Sequence, residues 1–154
     1  MKETFLTLNA ETIATEQALA DIYELLSGAW DEIDTPERAI VVGYYLHNLY
    51  MAFEHIFERV AETFENHIED KSQWHAHLLR RMKLDIAEMR PRLIGAETYE
   101  CLDELRRFRH VFRSAYSIKL DLERLALVVG RPKRLKELYR ADLLAFKNFL
   151  DQAE

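Results

Sequence analysis

Apolar residues recur along this chain at three- and four-residue steps, the spacing that lines one face of an α-helix. The first run is Ala18, Ile22, Leu25, Leu26, Ala29, Trp30 and Ile33, and it predicts a helix from about Ala10 to Ile33. Asp34-Thr35-Pro36 is a break and a restart. Thr35 suits a helix cap, and Pro36 suits the first helical position, where its missing N–H leaves no bond unmade. The second helix is predicted to run to about Ile68, lined by Ile40, Val41, Tyr44, His47, Met51, Ile56, Phe57, Val60, Ala61 and Phe64. Asn66 to Ser72 reads as a polar loop. Ser72 can cap a third helix carrying Trp74, Leu78, Leu79 and Met82, and Arg90-Pro91 and Gly95 punctuate the next connection. A fourth helix spans roughly Ala96 to Ser117. Asp121 starts a short helical turn through Leu127, and Gly130-Arg131-Pro132 ends it. The last helix carries Leu135, Leu138, Tyr139, Leu143, Phe146, Phe149 and Leu150. The prediction is an all-α bundle of about five main helices in a single domain, residues 1–154.

Composition supports this and removes alternatives. Four Gly and three Pro cannot supply the frequent turns of an all-β fold. Apolar residues make up 49% and charged residues 31%, a globular mixture rather than a disordered one. The N-terminal MKETFLTLNAET has no sustained apolar region, and no stretch approaches the roughly 18 apolar residues of a membrane span. A soluble, cytoplasmic protein without membrane contact is the expectation. Cys101 is the single cysteine, so no intrachain disulfide forms, and the helical pattern turns it toward the core.

Charge divides the chain. Residues 1–70 hold three basic side chains (Lys2, Arg38, Arg59) against fifteen acidic ones, whereas residues 71–154 hold eighteen basic and twelve acidic. Two readings stand: different partners on different faces, or helices from the two halves that pack and neutralise each other.

The fourth helix carries the candidate chemistry. Leu102, Leu105, Arg109, Phe112 and Tyr116 share one face, which places Arg109 amid apolar neighbours. A guanidinium there needs an anion. That anion is either an internal carboxylate such as Glu54 or Glu58, or the phosphate of a ligand. Arg106, Arg107, Arg113 and Lys119 surround it, with Phe108, Phe112 and Tyr116 interleaved. Basic residues among aromatics suit single-stranded nucleic acid, and they equally suit a core face backed by a solvated one. His110 can exchange a proton near neutral pH and shares a face with Arg106 and Ser114. No serine-hydrolase elbow, phosphate-binding loop, dinucleotide fingerprint or paired Glu-x-x-His set occurs, so neither a metal nor a cofactor is expected.

Leu105-Arg106-Arg107-Phe108-Arg109-His110-Val111-Phe112-Arg113, then Ala115-Tyr116 and Leu120-Asp121-Leu122-Glu123-Arg124-Leu125, is similar to the HepT-like branch of the HEPN superfamily. Trp74-His75-x-x-Leu78-Leu79-x-x-Met82, Arg90-Pro91 and Tyr50-x-x-x-Glu54 fit the same branch, and the resemblance covers nearly the whole chain. It implies a small helical bundle that pairs as a homodimer. It also implies a metal-independent endoribonuclease serving as the toxin of a toxin–antitoxin pair. The implied antitoxin is a minimal nucleotidyltransferase, which in some members attaches AMP to a tyrosine beside the catalytic motif. That motif, Arg-x4-His-x-Tyr, aligns with Arg109 as its arginine and Tyr116 as its modifiable tyrosine.

At the motif's histidine this chain has Ser114. A lone serine hydroxyl does not titrate near neutral pH, so one acid–base role in RNA cleavage is vacant. Three outcomes follow: a weakened member that still binds RNA or a partner, a takeover by His110, or a different use of the residues. The rival class is a helical dimer that binds RNA or protein and cleaves nothing.

Overall fold

The computed structural model describes residues 2–65, 74–114 and 121–153. The helices are α1 (Lys2–Ser27), α2 (Pro36–Phe64), α3 (Trp74–Met82), α4 (Ala96–Ser114), α5 (Leu122–Val128) and α6 (Gly130–Gln152). Five main helices and the seven-residue α5 make the predicted all-α bundle. Among the described residues there is no strand, only an isolated bridge between Ile86 and Arg90.

Helix α1 packs on α2, α2 on α4, α4 on α6, and α6 back on α1, which closes a ring of four helices. Helix α3 spans α2 and α4 at one side. Aromatic rings fill the centre. Tyr23 of α1 stacks on Tyr139 of α6 at 5.8 Å, and Phe53 of α2 meets Tyr139 edge-on at 5.5 Å. The buried Tyr23 hydroxyl donates to the Pro132 carbonyl at 2.8 Å, so its polar tip is satisfied.

The expected first stripe holds at Ile22, Leu26, Ala29, Trp30 and Ile33, which lie in or against the core, and departs at Ala18 and Leu25. The helix starts at Lys2 and ends at Ser27, and its buried face is Phe5, Leu8, Thr12, Thr15, Leu19, Tyr23 and Leu26. Ala18 is exposed and Leu25 is 52% exposed. The pattern also missed two threonines that extend the buried face toward the N-terminus. Thr12 and Thr15 enter the core because their hydroxyls donate back to the carbonyls of Leu8 and Glu11, at 2.8 and 2.9 Å. A hydrophobic pattern cannot see a polar residue that satisfies itself within its own helix.

Helix α2 starts as predicted. Thr35 caps it by accepting from the Arg38 amide at 3.2 Å, and Pro36 is the first helical residue. Its core face is set by Ala39, Val42, Leu46, Leu49, Tyr50, Phe53, Ile56, Phe57 and Val60. Ile40, Val41, Tyr44 and Met51, expected in the lining, are instead more than 40% exposed. The predicted end near Ile68, the loop Asn66–Ser72, the Ser72 cap and the end of α4 near Ser117 lie outside the described residues.

Where α2 ends, the buried Glu65 carboxylate joins two arginines: Arg81 Nε at 2.8 Å, and Arg90, whose side chain is fully buried. Arg90 also donates to the carbonyls of Arg81, Leu84 and Pro91, at 3.1, 3.2 and 3.2 Å. This clasp ties the end of α2 to the end of α3 and to the turn beyond it. Asp121 caps α5, accepting from the amides of Glu123 and Arg124 at 3.0 and 3.3 Å. The short α5 ends at Val128, just before Gly130-Arg131-Pro132 as expected, but the tripeptide itself is helical and not a loop. Val129 keeps helical angles, and the three residues make the first turn of α6, where Pro132 forfeits no intrahelical bond.

The two charge halves do pair in part. Glu16 meets Lys147, Asp31 meets Lys133, and Glu65 meets Arg81 and Arg90. Cys101 is fully buried, as its helical position predicts.

Candidate functional site

The core stripe of α4 is present as far as the described residues reach. Leu102 and Leu105 are buried, Arg109 is only 8% exposed, and Phe112 is half-buried. Phe112 stacks on Phe108 one turn back, with centroids 5.8 Å apart. The stripe faces α2, and the Arg109 Nε donates to the Met51 sulfur at 3.1 Å. A thioether is a weak acceptor and carries no charge.

Neither carboxylate considered as a partner for Arg109 meets it. Glu54, itself buried, holds His75 Nδ1 at 2.8 Å. The Glu58 carboxyl is pushed above its ordinary range by burial first and by the Glu54 charge second. Among the described residues no carboxylate lies within ion-pair distance of Arg109.

Helix α2 adds two groups, His47, which the sequence pattern treated as lining, and Tyr50 of the Tyr50-x-x-x-Glu54 match. His47 lies one turn before Met51, and its ring centroid is 6.2 Å from that of Phe112. Its Nδ1 is buried with no hydrogen-bond partner among the described residues. Burial lowers the His47 pKa most, and the charges of Arg109 and Arg113 lower it further. The ring is therefore neutral near pH 7. Tyr50, three residues on, is fully buried, and its hydroxyl also lacks a partner there. Burial and the Glu54 charge push its phenol far up, against the opposing pull of Arg106 and Arg109. His47, Tyr50, Met51 and Glu54 thus form a polar seam along α2 beneath the basic face of α4.

The remaining candidates divide. Arg106 donates through Nε and Nη2 to Asp103, at 3.1 and 2.9 Å, and the exposed Arg107 meets the same carboxylate at 2.9 Å. Arg113 is exposed at the end of α4. His110 is exposed too. It follows Arg109 directly, about 100° round the helix, so it does not share the buried face. Ser114 closes α4, but its side chain and the whole of Tyr116 lie outside the described residues.

Chemically, the described part of the site is a buried guanidinium without a carboxylate, a second arginine at the rim and a neutral imidazole. That combination suits an anion and offers a proton acceptor beside it. The Tyr50-x-x-x-Glu54 spacing was a signal for this seam, whereas His47 gave none beyond its place on an apolar helix face. Among the described residues there is no cluster of three or more His, Cys, Asp or Glu suited to a metal, and no helix long and apolar enough to cross a membrane.

No curated protein and no solved structure matches the chain. The family described as HepT-like protein does, over residues 41–150, a span that includes all of α2 beyond its first turns, the seam, α4 and most of α6. The match covers well over half of the sequence, and the chain belongs to the HepT-like family of the HEPN superfamily.

Proposed function

We propose that this protein is the toxin of a toxin–antitoxin pair, a metal-independent endoribonuclease acting on single-stranded RNA in the cytoplasm. Membership of the HepT-like family supports the toxin–antitoxin context. The observation that carries the proposal is Arg109, buried on α4 without a carboxylate among the described residues. Burying a lone guanidinium costs several kcal/mol, roughly, and a fold retains that cost where an anion is to be bound.

In this reading two protomers bring their Arg109 regions together across a two-fold axis. The exposed Ile40, Val41, Tyr44 and Met51 on α2 supply apolar surface for such pairing. The paired arginines hold the scissile phosphate, and Arg106, Arg107 and Arg113 hold neighbouring phosphates of the strand. Arg106 and Arg107 share Asp103, so RNA competes with that carboxylate for them. With Ser114 at the motif's histidine, His110 supplies acid–base chemistry. A minimal nucleotidyltransferase neutralises the toxin by adenylylating Tyr116. The added phosphate charge then competes for Arg109.

Expression in a bacterial host tests the reading. Growth arrest relieved by Arg109→Ala is expected, as is a mass increase of one AMP on the Tyr116 peptide after co-expression with a cognate minimal nucleotidyltransferase. Harmless expression and an unmodified Tyr116 would contradict it. Ser114 favours a second reading, a catalytically impaired dimer that binds RNA or protein. Under that reading, Ser114→His creates cleavage that the natural chain lacks.

A further inference from the structure

Cleaving RNA through its own 2′-hydroxyl moves two protons, one off the attacking oxygen and one onto the leaving oxygen. The motif helix offers His110 for one of them. The second role has no holder on α4 once Ser114 stands at the histidine position, and the described structure offers a group from α2 instead.

We infer that His47 is the catalytic base of this site, working across the helix interface from Arg109. The inference rests on the ribonuclease reading above. Three observations support it. Met51, the residue that receives the Arg109 Nε at 3.1 Å, lies one turn after His47 on the same face of α2, so imidazole and guanidinium occupy adjacent levels of one interface. The His47 ring lies against Phe112, 6.2 Å between centroids, and Phe112 is the next residue of the Arg109 stripe on α4. Its Nδ1 has no hydrogen-bond partner among the described residues, in an interface where buried polar atoms are ordinarily paired. Burial first, and then the charges of Arg109 and Arg113, disfavour the imidazolium, so the ring rests in the proton-accepting form.

The step balances as follows. The 2′-hydroxyl proton passes to the His47 imidazole, and the 2′-oxygen bonds to phosphorus while Arg109 neutralises the phosphoryl oxygens. The bond from phosphorus to the 5′-oxygen breaks, and that oxygen takes a proton from His110. The products are a 2′,3′-cyclic phosphate and a free 5′-hydroxyl, and no redox partner or metal enters.

Single-turnover cleavage of a short single-stranded RNA by the full-length protein tests this, with binding of the 2′-deoxy analogue measured in parallel. His47→Gln is expected to lower the cleavage rate about 100-fold or more, the usual scale of general-base loss. Analogue affinity stays unchanged, whereas Arg109→Ala weakens it. Far-UV circular dichroism verifies that both variants fold, and His47→Asn serves if His47→Gln does not. Cleavage by His47→Gln at the natural rate overturns the inference and leaves the ribonuclease reading intact. A natural protein that cuts nothing overturns that reading, and the inference falls with it.

Discussion

The Nε of Arg109 donates to the Met51 sulfur across the α2–α4 interface, at 3.1 Å, and this uncharged contact is its hydrogen bond among the described residues. On the proposed reading, a guanidinium so placed serves the bound state more than the fold. Replacing a buried ionic group by an apolar one of similar size is often neutral or stabilising, by about 1–4 kcal/mol. Arg109→Met should therefore leave urea-denaturation stability unchanged or raised, while nucleic-acid binding is lost. A fall of about 3–5 kcal/mol, the scale of a broken buried ion pair, would mean that Arg109 has a structural carboxylate after all.

Glu65 is the opposite case. Its carboxylate is shared by the part-exposed Arg81 and the fully buried Arg90, and removing it leaves Arg90 buried without a counter-charge. Glu65→Ala should destabilise the protein by about 3–5 kcal/mol, measured by the same denaturation curves. A loss under about 1 kcal/mol, the scale of an exposed pair, would show that the clasp is solvated in solution.

Helix α1 gives a test of register. Leu19 is fully buried and Leu25 is half exposed, although the apolar pattern put Leu25 in the stripe. Leu19→Ala should cost about 2–5 kcal/mol. Leu25→Ala should stay within about 0.5 kcal/mol, as surface changes usually do. The reverse order would restore the pattern's register.

His47 couples stability to pH. Its folded pKa lies below the ordinary 6.5, so the fold favours the neutral ring. Above about pH 6.5 neither state holds the proton and the contribution is complete. As pH falls below that value the unfolded chain takes the proton first, and stability is lost down toward the folded pKa. His47→Gln lacks this dependence. The Tm of the natural protein relative to His47→Gln should accordingly fall between pH 8 and pH 5, and a constant or rising difference would place the imidazole in an unperturbed setting.

Much of this was legible in the sequence. Helix number, the Thr35-Pro36 start of α2, the Asp121 cap and the burial of Cys101 each follow from a local rule that tertiary packing did not override. The C-terminal part of the α1 face was legible in Ile22 and Leu26, whereas its N-terminal part was not, because Thr12 and Thr15 hide their polarity in bonds to their own helix. The face of α2 was legible in its second half, where Ile56, Phe57, Val60 and Ala61 are buried as expected, and not in its first. Its apolar residues lie on two sides, and spacing alone does not say which side meets the core and which remains outside with Tyr44 and Met51. At the site, Arg109 stood out because a charge interrupts its stripe. His47 did not, since a histidine among apolar residues gives no sign of what crosses from the next helix.

Metal-free cleavage of RNA tests the central claim most directly. The purified protein, incubated with a panel of single-stranded RNAs in excess EDTA, should produce fragments ending in a 2′,3′-cyclic phosphate, and Arg109→Ala should produce none. An uncut panel, or equal cleavage by Arg109→Ala, would contradict the account.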